Sequence, residues 1–118
     1  QLVHLRSDIG EGWGECAAFA GPFYSPEFVA SAQIVLREQL APMLLAVAGP
    51  DGREVTSADV GRILGAVNGH RMAKSALEMA VLDAELRGQG LHDLRQGAGH
   101  LLQAPAQADR TQRQLRVQ

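Results

Sequence analysis

Between Gly69 and Gly88 the chain reads Gly-His-Arg-Met-Ala-Lys-Ser-Ala-Leu-Glu-Met-Ala-Val-Leu-Asp-Ala-Glu-Leu-Arg-Gly, and its apolar residues recur at helical spacing. The spacing predicts one long, largely buried helix. Ala73, Ala76, Leu77, Ala80, Val81 and Ala84 form one apolar face, and Met72, Met79, Leu82 and Leu86 form a second beside it. Only Arg71, Lys74, Glu78 and Glu85 share a narrow polar strip, so such a helix must be covered on more than one side. Burying one Leu or Met contributes roughly 1.5 to 3 kcal/mol, which makes this segment a main source of stability. Its alanines also let a neighbouring backbone come close. Asp83 falls between the two faces, one turn before Arg87. A carboxylate there needs a partner or water, and it reads as a tether for a neighbouring loop or for Arg87 rather than as a catalytic group.

The remaining sequence has to supply what covers this helix. With 46% hydrophobic residues in 118, a single domain with a real core is expected. The formal net charge of −2 and the scattered arginines leave no basic footprint for nucleic acid. The one cysteine, Cys16, excludes an internal disulfide framework and fits a reducing compartment, so the cytoplasm is the expected location. No apolar run approaches the ~20 residues of a membrane span, since the longest, Leu40 to Ala48, is interrupted by Pro42. There is no signal peptide, and because Gln1 is followed at once by a strand-like run, the chain looks entered midway.

Taken in order, Leu2 to Arg6 and Trp13 to Phe19 read as two strands joined by the turn-rich stretch Ser7 to Gly12. A hairpin is marginal alone, so it needs a third strand or a helix against it, and a third strand has a place upstream of Gln1. Ala20 to Tyr24 is a loop carrying two aromatics. Ser25 is the expected N-cap of a helix with Pro26 at its first position and Glu27 in its first turn. That helix runs through Phe28, Ala32, Val35, Leu36 and Gln39 until Pro42 kinks or restarts it. Gly49 to Gly52 is a turn. Thr56 or Ser57 caps a short helix that buries Val60, Ile63, Leu64 and Val67 and stops at Asn68-Gly69. The fold class is therefore α+β, a small antiparallel sheet of two strands here followed by a helical bundle. Residues 1–90 form the domain, and 91–118, rich in Gln, Arg and Ala, form a poorly ordered tail with a helical turn at most around Leu101 and Leu102.

Few residues invite a chemical reading. Gly10-x-Gly12-x-Gly14 imitates a phosphate-cradling glycine loop, but strand-like residues follow it where a helix is needed. Cys16 reads as a small buried hydrophobe, His70 as structural, and His92 and His100 are poorly spaced for a shared metal. No catalytic and no metal-ligating residue is assigned.

Three patches carry a resemblance: Gly12-Trp13-Gly14-Glu15-Cys16, Pro22-Phe23-Tyr24-Ser25, and the long run from Gly69 to Arg87. Together they resemble the amino-terminal capping domain of the enolase superfamily, of the mandelate racemase/muconate lactonizing enzyme type. More narrowly, they look like the o-succinylbenzoate synthases related to N-acylamino acid racemases, over about Gly10 to Gly90. The resemblance implies a cap that closes over a barrel domain carrying catalytic lysines and acidic ligands for Mg2+. Such enzymes dehydrate a precursor in menaquinone biosynthesis, and some racemise N-acylamino acids. A proton alpha to a carboxylate is weakly acidic, so the enolate charge must be met by a metal and a positioned base.

This chain departs from that pattern. Its single lysine, Lys74, lies on the cap helix as a surface residue, and nothing after Leu91 reads as alternating strands and helices. The resemblance therefore implies a cap without its barrel, catalytically silent alone, with no cofactor of its own. Its partners would be its own barrel domain and a small-molecule carboxylate substrate. It also implies that the second cap loop touches substrate through Phe19 and Tyr24, with Ala20, Pro22 and Phe23 shaping the loop. The alternatives are that these rings merely pack on the first helix, that the chain is a non-enzymatic interaction or homo-oligomerisation domain, or that it caps an N-acylamino acid racemase or a dipeptide epimerase.

Overall fold

The alanine face of the long helix determines the architecture. A computed structural model describes residues 1–7, 10–49, 53–90 and 114–118. The helix, α4, spans Arg71–Gly88, and Ala73, Ala76, Leu77, Ala80, Val81 and Ala84 are all buried. It lies across a three-stranded antiparallel sheet of order β2-β1-β3, formed by β1 (Leu2–Ser7), β2 (Gly10–Glu15) and β3 (Gln114–Val117).

Strand β2 is Gly-Glu-Gly-Trp-Gly-Glu, and its glycines are what bring helix and sheet together. A Cβ on Gly12 would stand 1.9 Å from the Ala80 carbonyl oxygen, and one on Gly14 would stand 1.8 Å from that of Ala76. Backbone therefore packs on backbone, with the alanines of α4 on one side and bare α-carbons on the other. The expectation that Ser7 to Gly12 is a turn is corrected here: β2 begins at Gly10 and ends at Glu15, so Ala17 to Phe19 lie beyond it. These glycines lack a Cβ because a helix occupies that space, a requirement set by residues more than 60 positions away.

The sheet also has three strands where two were expected. The third is formed by Gln114–Val117 and pairs Val3 with Val117 and Leu5 with Leu115. The remaining tail and the turn at 50–52 lie outside the described residues, as do Leu101 and Leu102. On the outer face of the sheet the His4 ring stacks on Trp13 at 3.9 Å, and Arg6 pairs with Glu11 at 3.0 Å.

The helices complete the core. The first, α1 (Val29–Val35), passes through a π-helical stretch at Leu36–Leu40 into α2 (Ala41–Ala48). Pro42 cannot donate to the preceding turn, and the wider π ladder, with the Ala41 N–H bonded to the Leu36 carbonyl, accommodates it. Helix α3 (Ser57–Ile63) starts on Thr56, whose N–H and hydroxyl both donate to the Asp59 carboxylate, and a 3-10 turn at Leu64–Ala66 extends it. Leu36, Leu40, Leu64, Leu77, Val3, Val60 and Cys16 are fully buried between these helices and the sheet. Among the described residues no helix is long and apolar enough to cross a membrane.

On the second face of α4, Met79 and Leu82 are exposed at 40% and 42%, whereas Met72 packs against the core.

Candidate functional site: the aromatic loop after β2

The chain leaves the sheet at Cys16, whose N–H donates to the Gln1 carbonyl at 2.8 Å. It returns at Phe28, where an isolated parallel bridge joins Phe19 to Phe28 and the Val29 N–H donates to the Phe19 carbonyl at 2.8 Å. This bridge keeps Phe28 extended and starts α1 at Val29, three residues later than the expected start at Pro26. Ser25 is therefore not the helix cap: its hydroxyl accepts the Glu27 N–H at 3.1 Å inside the loop. The cap function falls to Ser31, whose hydroxyl accepts from the Phe28 N–H and donates to the Phe28 carbonyl.

Glu27 fixes the returning limb. It is the one charged side chain buried among the described residues, and its carboxylate accepts the N–H groups of Met72 and Ala73 at 3.0 and 2.7 Å. These are orphan donors of the first turn of α4, where a negative charge is also favoured by the helix dipole. The preceding residue, His70, has φ 49° and offers no side-chain cap of its own, so Glu27 supplies it from 45 residues away. Sequence reasoning missed this role, because a Glu two residues after Ser25 imitates the first-turn acid of its own helix.

Between these anchors the loop carries its rings outward. Phe19 and Tyr24 are 60% and 79% exposed and meet edge to face at 5.8 Å, while Phe23 is 97% exposed. Three exposed rings on one short loop make an apolar contact surface with a single phenol to donate or accept a hydrogen bond.

The other candidates resolve into structure. Asp83 accepts the Trp13 N–H and the Arg87 guanidinium, both at 2.9 Å, which ties the edge of β2 to α4. Lys74 donates to the Val67 carbonyl at the end of the 3-10 turn. Cys16 is buried, and burial pushes its thiol pKa up, with the nearby Glu27 charge adding to the effect, so it is a poor nucleophile. His92 and His100 lie outside the described residues. Among the described residues no three His, Cys, Asp or Glu side chains converge on a position that could hold a metal ion.

The architecture is a three-stranded antiparallel sheet under a helical layer, with an aromatic loop after β2. Residues 2–94 match the family described as mandelate racemase/muconate lactonizing enzyme, N-terminal domain, and the chain belongs to that family. It is 56% identical over 86 residues to an N-succinylamino acid racemase of an Amycolatopsis species, covering 73% of this chain and 22% of the relative. It is also 35% identical over 85 residues to an o-succinylbenzoate synthase of Listeria innocua, covering 70% and 21%. Among solved structures, a probable mandelate racemase from Alicyclobacillus acidocaldarius superposes with a TM-score of 0.69 at 35% identity, covering 75% of this chain and 24% of that one. The chain thus spans about a fifth of the length of the curated relatives it matches.

Proposed function

We propose that this chain acts as the substrate-covering cap of an enolase-superfamily enzyme of the o-succinylbenzoate synthase and N-acylamino acid racemase group, and is catalytically silent alone. The observation that carries the proposal is the aromatic loop. Phe19 and Tyr24 stand 60% and 79% exposed on a loop anchored at both limbs, which suits a surface that closes on a ligand. The rings would line the apolar side of a small carboxylate substrate and keep water from it. The open face of α4, with Met79 and Leu82, would pack on the barrel. In this reading any Mg2+, and the proton transfers, would belong to the barrel. The reading places the protein in the cytoplasm, in keeping with its one buried thiol. Menaquinone biosynthesis is the pathway expected of a synthase of this group, and racemisation of an N-succinylamino acid is favoured by the 56% identity to a racemase.

The test is a chimera in which residues 1–90 replace the matching segment of the Amycolatopsis racemase. Racemisation of an N-succinylamino acid is expected, with Phe19→Ala and Tyr24→Ala raising KM while the fold is kept. A folded chimera whose KM ignores both substitutions would refute the loop's role. The isolated chain, assayed with Mg2+ and the cyclohexadiene precursor of o-succinylbenzoate, should show no turnover above background.

The exposed Met79 and Leu82 also favour a second reading, a homo-oligomer formed through α4. Light scattering on Leu82→Glu distinguishes the two, since only the oligomer would dissociate.

A further inference from the structure

Two helix N-caps in this chain are built in opposite ways. Thr56 stands extended before α3, at φ −90° and ψ 160°, and its N–H and hydroxyl pair with Asp59 in the first turn of the same helix. His70 holds the same place before α4, since its carbonyl accepts the Lys74 N–H at 2.9 Å, but it stands left-handed at φ 49° and ψ 45°. It is the only residue other than glycine with a positive φ among the described residues, and it directly follows Gly69 at φ 64°. A side chain in that region is strained. An extended N-cap turns its side chain onto the N–H groups of the second and third helical residues, here Met72 and Ala73. The His70 ring bonds to neither, and its Nδ1 is buried without a hydrogen-bond partner among the described residues. Both N–H groups go instead to the Glu27 carboxylate, at 3.0 and 2.7 Å.

Strain and a buried ring nitrogen left unpaired thus coincide with one gain, a carboxylate from 45 residues away seated on the end of α4. A buried polar atom without a partner calls for a reason. The reason here is a handover, because an N-cap that served itself would take the donors that hold the returning limb of the aromatic loop. We propose that His70 is a positioning residue for that loop, whose left-handed backbone leaves the Met72 and Ala73 N–H groups to Glu27 and so sets where Phe19 and Tyr24 stand. Its bearing on ligand binding rests on the reading of the loop as a substrate cover; its bearing on the loop does not.

The test places a self-capping residue at position 70. In His70→Thr the β-branched side chain disfavours the left-handed region, and its hydroxyl can accept the Ala73 N–H. The full chain is labelled with 3-fluorotyrosine, which enters only at Tyr24, the single tyrosine. His70→Thr should keep the helical circular dichroism and the hydrogen-exchange protection of Ala73, yet move the Tyr24 fluorine resonance, and Glu27→Gln should move it in the same direction. His70→Gly holds the left-handed backbone without strain and brings no competing acceptor, so it should leave the resonance in place. A resonance unmoved by His70→Thr, or moved alike by His70→Gly, would overturn the proposal. If His70→Thr does not fold, the other two variants decide: a resonance moved by Glu27→Gln and held by His70→Gly supports the handover, and any other pattern refutes it. In the racemase chimera, His70→Thr should raise KM about fivefold with kcat unchanged. An unchanged KM beside a moved resonance would leave His70 as the positioning residue and refute the substrate-cover reading instead.

Discussion

Placing one methyl group on Gly14 should cost this domain a large part of its stability. The new Cβ would lie 1.8 Å from the Ala76 carbonyl oxygen, 2.8 Å from its carbonyl carbon and 3.0 Å from the Ala80 nitrogen. All three are backbone atoms of α4, so no side chain can rotate away. The helix itself must retreat, by about 1.5 Å for the nearest contact to become tolerable, and close packing means the loss is felt along the whole interface. Overpacking of this kind costs about 1 to 3 kcal/mol when neighbours can adjust, and Gly14→Ala belongs at or above the upper end. A domain of this size has roughly 5 to 10 kcal/mol in total, so the midpoint of thermal unfolding should fall by about 12 °C or more. Urea unfolding followed by Trp13 fluorescence and by circular dichroism measures the change. Gly12→Ala should behave alike, and because its nearest clash is the Ala80 carbonyl at 1.9 Å, adding Ala84→Gly should not rescue it. A loss below about 1 kcal/mol for Gly14→Ala, or full rescue of Gly12→Ala by Ala84→Gly, would refute backbone-on-backbone packing as the reason for these glycines.

Other perturbations follow from the same geometry. Glu27→Ala strips the first turn of α4 of the acceptor for two N–H groups and should cost about 2 to 3 kcal/mol by urea denaturation, with Glu27→Gln losing less. Gly61, within α3, has open space where an alanine methyl would stand, with no atom within 4 Å, so Gly61→Ala should stabilise the domain by about 0.5 to 1 kcal/mol in the same assay. The Arg62 side chain, then the Thr56 hydroxyl and N–H, hold the Asp59 carboxyl at about 2, below its ordinary 3.8. The unfolded chain therefore binds the proton first, so this stabilisation is complete above pH 4 and is lost as pH falls toward 2. Acid titration of thermal stability should show that slope, and Asp59→Asn should flatten it.

The buried face of α4 was legible residue by residue, because a 3.6 period written over 18 residues has one solution for which side faces in. The tether role of Asp83 was legible for the same reason, as a carboxylate placed between apolar faces. What escaped reading was set by distant partners. Gly10 and Gly12 look like turn residues until a helix is laid on them, and Glu27 looks like the acid of its own helix until α4 presents two unpaired N–H groups. Strand β3 was hidden in a stretch rich in Gln and Arg. Only Leu115 and Val117 alternate there, and four residues with two apolar side chains give no periodic signal above that of a tail. In the candidate site, the aromatic content of the loop was visible, whereas the anchoring that presents Phe19 and Tyr24 to solvent was not.

Both limbs of that loop stand on a single helix. One limb grows out of β2, which is pressed onto the middle of α4 through Gly12 and Gly14 and tied to it through Trp13 and Asp83; the other ends in Glu27, fastened to the first turn of α4. The loop is an arch whose span is fixed by α4, with the Phe19–Phe28 bridge as its tie. Its crown, from Ala20 to Pro26, can change in composition without moving either footing. Substitution at the crown therefore leaves the fold below the same. Conversely, a shift of α4 against the sheet would carry both footings of the loop with it.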